Sequence, residues 1–117
     1  MTQASDVGRL LAHNVFFSLH DRSEAARARL IEACRQYLAP HAGVVFFACG
    51  ELASDLHRDV NDLDFDVALH VVFASQAAHD AYQTTPAHLQ FIAENKANWK
   101  RVRVFDSIVG QGLAAAR

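Results

Sequence analysis

The 117-residue chain is 51% hydrophobic and 21% charged, enough for one ordinary core and too short for two. Eleven Lys and Arg against thirteen Asp and Glu leave a formal charge of −2, so there is no basic field for nonspecific nucleic-acid binding. Two cysteines exclude a disulfide-stapled scaffold and a four-cysteine zinc site, and no apolar run approaches the ~20 residues of a membrane helix.

Residues 1–6 lack the basic and apolar regions of a signal peptide, and a cytoplasmic protein without nucleic-acid or membrane partners is expected. Residues 1–11 read as a lead-in, 12–106 as the folded domain and 107–117 as a small-residue tail. Residues 13–20 (HNVFFSLH) read as a strand with His13, Val15, Phe17 and Leu19 on its more apolar face. Ser23 is a plausible N-cap. Ala26, Leu30, Ile31, Cys34, Tyr37 and Leu38 then recur at helical spacing over 24–38. Pro40 and Gly43 end that helix.

The second strand, 44–49 (VVFFAC), is apolar on both faces and is expected to be covered on both. Residues 50–64 are polar and acidic and read as a surface loop. The third strand, 65–73, carries Phe65, Val67, Leu69, Val71 and Phe73 on one face and Asp66, Ala68, His70 and Val72 on the other. Ser75 caps a short helix to about Gln83, with Ala78, Ala81 and Tyr82 inward. Thr85-Pro86 starts another, running to roughly Lys100, with His88, Ile92, Asn95 and Trp99 on one stripe. Residues 101–106 alternate as a last strand.

This is the α+β, ferredoxin-like split βαβ order, a four-stranded antiparallel sheet with its helices on one face. The other face is expected to show Phe16, Phe47 or its neighbours, Ala68 and Val72. An apolar face of that size calls for a cover, and a second copy related by a two-fold axis is the most economical one.

The series H-x-V-F-F-x-L from His13, the Gly43-Val44 entry and Gly50 exit of the second strand, FDVALHVVFAS (65–75), AYQTTPAHLQF (81–91) and RVFD (103–106) resembles the stress-responsive dimeric α/β-barrel family. The resemblance implies a homodimeric α/β barrel joined through the open sheet faces. Plant members include stress-induced proteins and olivetolic acid cyclase, which closes a linear polyketide with no metal or organic cofactor in a pocket between sheet and helices. His13, Tyr82 and His88 match functional positions of that cyclase. Val67 and Cys34 stand where it has a histidine and a tyrosine.

His88, in the first turn of its helix, is a candidate general base, because the positive helix end favours a neutral imidazole there. Tyr82 is a candidate to stabilise an enolate, and His13 to share the pocket. Phe17, Leu30, Val67, Leu69 and Ile92 are the expected apolar lining, suited to a small apolar carbonyl ligand. The structural alternatives are a backbone-bonded His88, an amphipathic core Tyr82 and a strand-end His13 near solvent. His70, with Asn14, Ser18 and Asp66, is expected in an interface network. The acidic loop lacks calcium-loop spacing, no H-x-x-x-H or H-x-H pair occurs, and no metal or other cofactor is expected. Two functional readings therefore stand: a stable stress-type homodimer without assigned activity that has a small apolar pocket between sheet and helices, and a cofactor-independent cyclase- or lyase-type enzyme acting on a polyketide-like or aromatic carbonyl compound, with His88 as general base and Tyr82 stabilising an enolate. A cofactor-free oxygenase or isomerase is a third that no residue selects.

Overall fold

A computed structural model describes residues 9–110. The element order is β1 (Leu10–Leu19), α1 (Glu24–Leu38), β2 (Val44–Glu51), β3 (Val67–Phe73), α2 (Gln76–Gln83), α3 (Pro86–Asn95), a 3₁₀ turn (Lys96–Asn98) and β4 (Trp99–Val109). The strands form one antiparallel sheet in the order β2-β3-β1-β4. This is the ferredoxin-like arrangement expected from the sequence. No helix among the described residues is long and apolar enough to cross a membrane.

Local chemistry sets the helix starts. Ser23 and Ser75 accept from the backbone N–H groups of Ala26 and Ala78, and Thr85 accepts from that of His88, with Pro86 opening the first turn of α3. α1 packs against β2, β3 and α3. Leu30, Cys34 and Leu38 of α1 meet Val15, Phe17, Leu19, Val67, Leu69, Val71 and Phe73 of the sheet in one core, closed by Tyr82 and Phe91. Each large side chain buried there contributes about 1.5–3 kcal/mol of transfer free energy.

Several boundaries differ from the sequence reading, among them the end of β2, which runs on to Glu51. β1 begins at Leu10, because Leu10 and Leu11 find partners in Val109 and Ile108 of β4. That pairing also extends β4 through Ser107–Val109, while residues 1–8 and 111–117 lie outside the described chain. The last helix ends at Asn95 instead of near Lys100. Asn98 hydrogen-bonds the β1–α1 turn through its side chain on Asp21 and its carbonyl on His20 N–H, which pulls Trp99 out of the helical stripe and into β4 opposite Leu19. Phe65 and Asp66 precede β3. Asp66 instead accepts from Leu19 N–H at 2.8 Å and Arg22 Nε at 2.9 Å, and Phe65 stacks on Phe16, on the opposite sheet face from Val67.

The open face carries Phe16, Phe46, Ala68, His70, Val72 and Phe105. Phe46, rather than Phe47, points there, because the register shifts between Val44 and Phe46. Without that irregularity, strict alternation from Val44 would have turned Phe47 outward. In the single chain β2 is covered on one side only, with Val45 and Phe46 more than half exposed. Within one chain His70 Nδ1 meets Asn14 Oδ1 at 2.7 Å, whereas Ser18 bonds the Asp64 carbonyl and Asp66 accepts from Leu19 N–H and Arg22 Nε.

Candidate active site

The helical layer stops short of β4. Val102 and Val104 pair with Phe17 and Val15 and share their helix-facing side, yet remain 39% and 48% exposed. Between that uncovered strip and α2–α3 lies an open cleft of about 180 Å³. His13, Tyr82 and His88 all line it, together with Phe17, Leu69 and Ile92. Leu30 and Val67, also expected in the lining, are instead part of the solid core packed between α1 and the sheet. A larger groove of about 250 Å³ near Arg22, Asp64, Asp66 and Arg101 is walled largely by charges paired with one another.

His13 is buried in the body of β1 rather than standing at a strand end. Its cross-strand partner is Asp106, and its Nδ1 meets Asp106 Oδ1 at 2.6 Å. Burial lowers the His13 pKa, and the Asp106 hydrogen bond and charge oppose that without reversing it. Asp106 was overlooked in the sequence reading. It stands at the end of an alternating strand, in the register that pairs it with His13.

Tyr82 sits in the last turn of α2, 2% exposed, among four imidazoles. Its ring centroid is 4.6 Å from His88, 4.9 Å from His41, 6.0 Å from His13 and 6.4 Å from His79. Burial pushes its phenol well above the ordinary range, so the hydroxyl stays protonated as a donor. His79 had a readable signal, since it lies three residues before Tyr82 on the same helical face. His41 follows α1 and had none.

His88 keeps its place through the Thr85 cap. Its pKa is lowered, first by burial and then by the charges of His13 and His41; the Gln83 backbone carbonyl pulls the other way. The neutral ring expected from the helix terminus is therefore obtained chiefly by desolvation. Its Nδ1 is buried without a hydrogen-bond partner, a costly arrangement unless a ligand or a proton uses it. The donor atoms of His13, His79 and Asp106 lie within 4.8 Å of one another, the one such group of three among the described residues.

The fold is similar to that of a ferredoxin-like protein from Mesorhizobium loti, with 22% identity and a TM-score of 0.69 over 85% of this chain and 95% of that one. It is similar to the hydroxynitrile lyase of Passiflora edulis, with 20% identity and a TM-score of 0.71 over 89% and 96%. A dimeric ferredoxin-like protein of unknown function from Thermobifida fusca matches with 16% identity and a TM-score of 0.70 over 87% and 92%. No curated protein matches the chain. The model of the stress-responsive A/B barrel domain matches residues 11–109, nearly the whole described sheet and its helices, and the chain belongs to that family.

Proposed function

We propose that the protein is a homodimeric barrel whose cleft binds a small apolar carbonyl compound and transfers a proton next to its carbonyl group. The observation that carries this reading is the unpartnered, buried Nδ1 of His88 beside the Tyr82 ring in an apolar cleft. A neutral imidazole takes the α-proton. The C–H electron pair becomes the new C=C bond, and the carbonyl π pair moves onto oxygen as an enolate. The Tyr82 hydroxyl donates to that oxygen, and a donor in a desolvated site is worth far more there than in water. The enolate then either recovers the proton from His88, or its carbon attacks a second carbonyl carbon; in that aldol closure the second carbonyl's π pair moves onto its oxygen and the His88 imidazolium protonates the resulting alkoxide. At about 180 Å³ the cleft is smaller than a drug-sized pocket, which favours compact substrates. The same fold carries lyase chemistry in the Passiflora edulis enzyme, which is compatible with this class of step.

A second copy supplies the cover for Phe16, Phe46 and Phe105 on the open sheet face, and three structural neighbours are described as dimeric. The proton-transfer reading is tested with benzoylacetone in D₂O. The expected results are saturable NMR shifts at Tyr82 and His88 and α-hydrogen exchange that falls about 10²–10⁴-fold in His88→Ala with the fold intact. Absence of shifts at both residues overturns the reading and leaves the stable-dimer alternative.

A further inference from the structure

We propose that His13, His79 and Asp106 form a binding site for a divalent transition-metal ion beside the cleft. The three side chains come from β1, α2 and β4, and their donor atoms all lie within 4.8 Å of one another. Two of them occupy a paired register position on adjacent strands, so their approach is fixed by the sheet. The third projects from a helix whose start is fixed by the Ser75 cap. The His13 and His79 ring centroids are 4.9 Å apart. Two imidazoles and one carboxylate suit zinc, iron(II) or cobalt(II), whereas calcium and magnesium prefer oxygen ligands.

The surroundings resemble those of built metal sites. His79 Nδ1 lies 3.0 Å from Asp80 Oδ1, which orients the ring and leaves Nε2 for a metal. The Gln83 side-chain amide now stands 3.2 Å from that Nε2 and turns aside on binding. The 2.6 Å contact between His13 Nδ1 and Asp106 Oδ1 holds a proton, which a metal displaces. With metal–ligand bonds of about 2.0–2.2 Å, those two atoms need to part by only about 1 Å. Of the three, only His13 lines the cleft; the Asp106 side chain is 42% exposed, so an ion held by three protein ligands keeps a position open to solvent.

The test is titration of the untagged, chelator-treated full chain with cobalt(II), followed by its visible d–d absorption, and with zinc(II) by calorimetry. One ion per chain is expected. His79→Ala, a partly exposed helix position, should weaken binding by more than tenfold, and Asp80→Asn by about tenfold. His57→Ala in the exposed loop should not change it. Absence of a stoichiometric cobalt spectrum, or equal affinity in wild type and His79→Ala, overturns the assignment. Metal binding without α-hydrogen exchange of benzoylacetone would leave the site standing and refute only the proton-transfer reading.

Discussion

Gly43→Ala tests how the cleft's helical wall is held. Gly43 has φ +86°, the left-handed region that an L side chain adopts at a cost of about 1–2 kcal/mol. A Cβ added there would stand 2.5 Å from the Ala78 Cβ on α2, closer than two carbon atoms can approach. Neither atom is the end of a flexible side chain, so α2 or the α1–β2 turn must move. Such overpacking costs about 1–3 kcal/mol. The turn cannot shift freely, because the Gly43 carbonyl accepts from Ala74 N–H at 2.7 Å between β3 and α2. The less flexible unfolded chain of the variant returns roughly 0.4–1 kcal/mol. A net loss of about 1–4.5 kcal/mol follows, read as a fall of roughly 0.5–3 M in the urea midpoint at fixed protein concentration. The clash is separable from the backbone strain. Ala78→Gly alone, in the first turn of α2, should cost no more than about 1 kcal/mol. In the double variant the steric share disappears, giving a favourable coupling of about 1–3 kcal/mol. A loss below about 1 kcal/mol in Gly43→Ala, or strict additivity with Ala78→Gly, would refute this reasoning.

Phe46→Asp, on the uncovered sheet face, should convert a species of twice the 12.9 kDa chain mass into a monomer by sedimentation. It should raise the dissociation constant at least about 30-fold while leaving the circular dichroism unchanged; an unchanged mass would place the contact elsewhere. His88 makes acidification destabilising. Its folded pKa lies below its ordinary 6.5, held there by burial and by His13, His41 and His79 against the Gln83 carbonyl, so its stabilising contribution is present above about pH 6.5 and is lost as pH falls from there through the folded value. Between about pH 7.5 and pH 5 the urea midpoint should therefore fall further in wild type than in His88→Gln, and parallel losses would contradict the direction of that shift.

Most of the fold was legible because local signals agreed. The Ser23, Ser75 and Thr85 caps placed three helix starts, and alternation in β1 and β3 placed the core face. The departures share one cause: contacts remote in sequence overrode local pattern. Asn98 has a helical neighbourhood, but its bonds to Asp21 and His20 turn the chain into β4. Phe65 continues the alternation of Val67 and Leu69, but Asp66 is captured by the β1–α1 turn and Phe65 crosses to the other face. One register shift in β2 exchanges the roles of Phe46 and Phe47.

The site obeys the same logic more severely. Tyr82 and His88 could be placed near one another because they are six residues apart across a capped turn. His13 and Asp106 are 93 residues apart, and only the β1–β4 register brings them to 2.6 Å. No spacing rule for metal ligands finds a group spread over β1, α2 and β4, which is why seven histidines gave no metal pattern along the chain. The lining depends on tertiary position in the same way. Apolar residues on one sheet face are interchangeable in sequence: Val67 and Leu69 are successive helix-facing positions of β3 in one core, yet only Leu69 also borders the cleft. The cleft thus depends on where the helical layer ends. That edge is set by three packed helices rather than by any single motif, so substitutions that move α2, such as Gly43→Ala, should disturb the cleft without touching a residue that lines it.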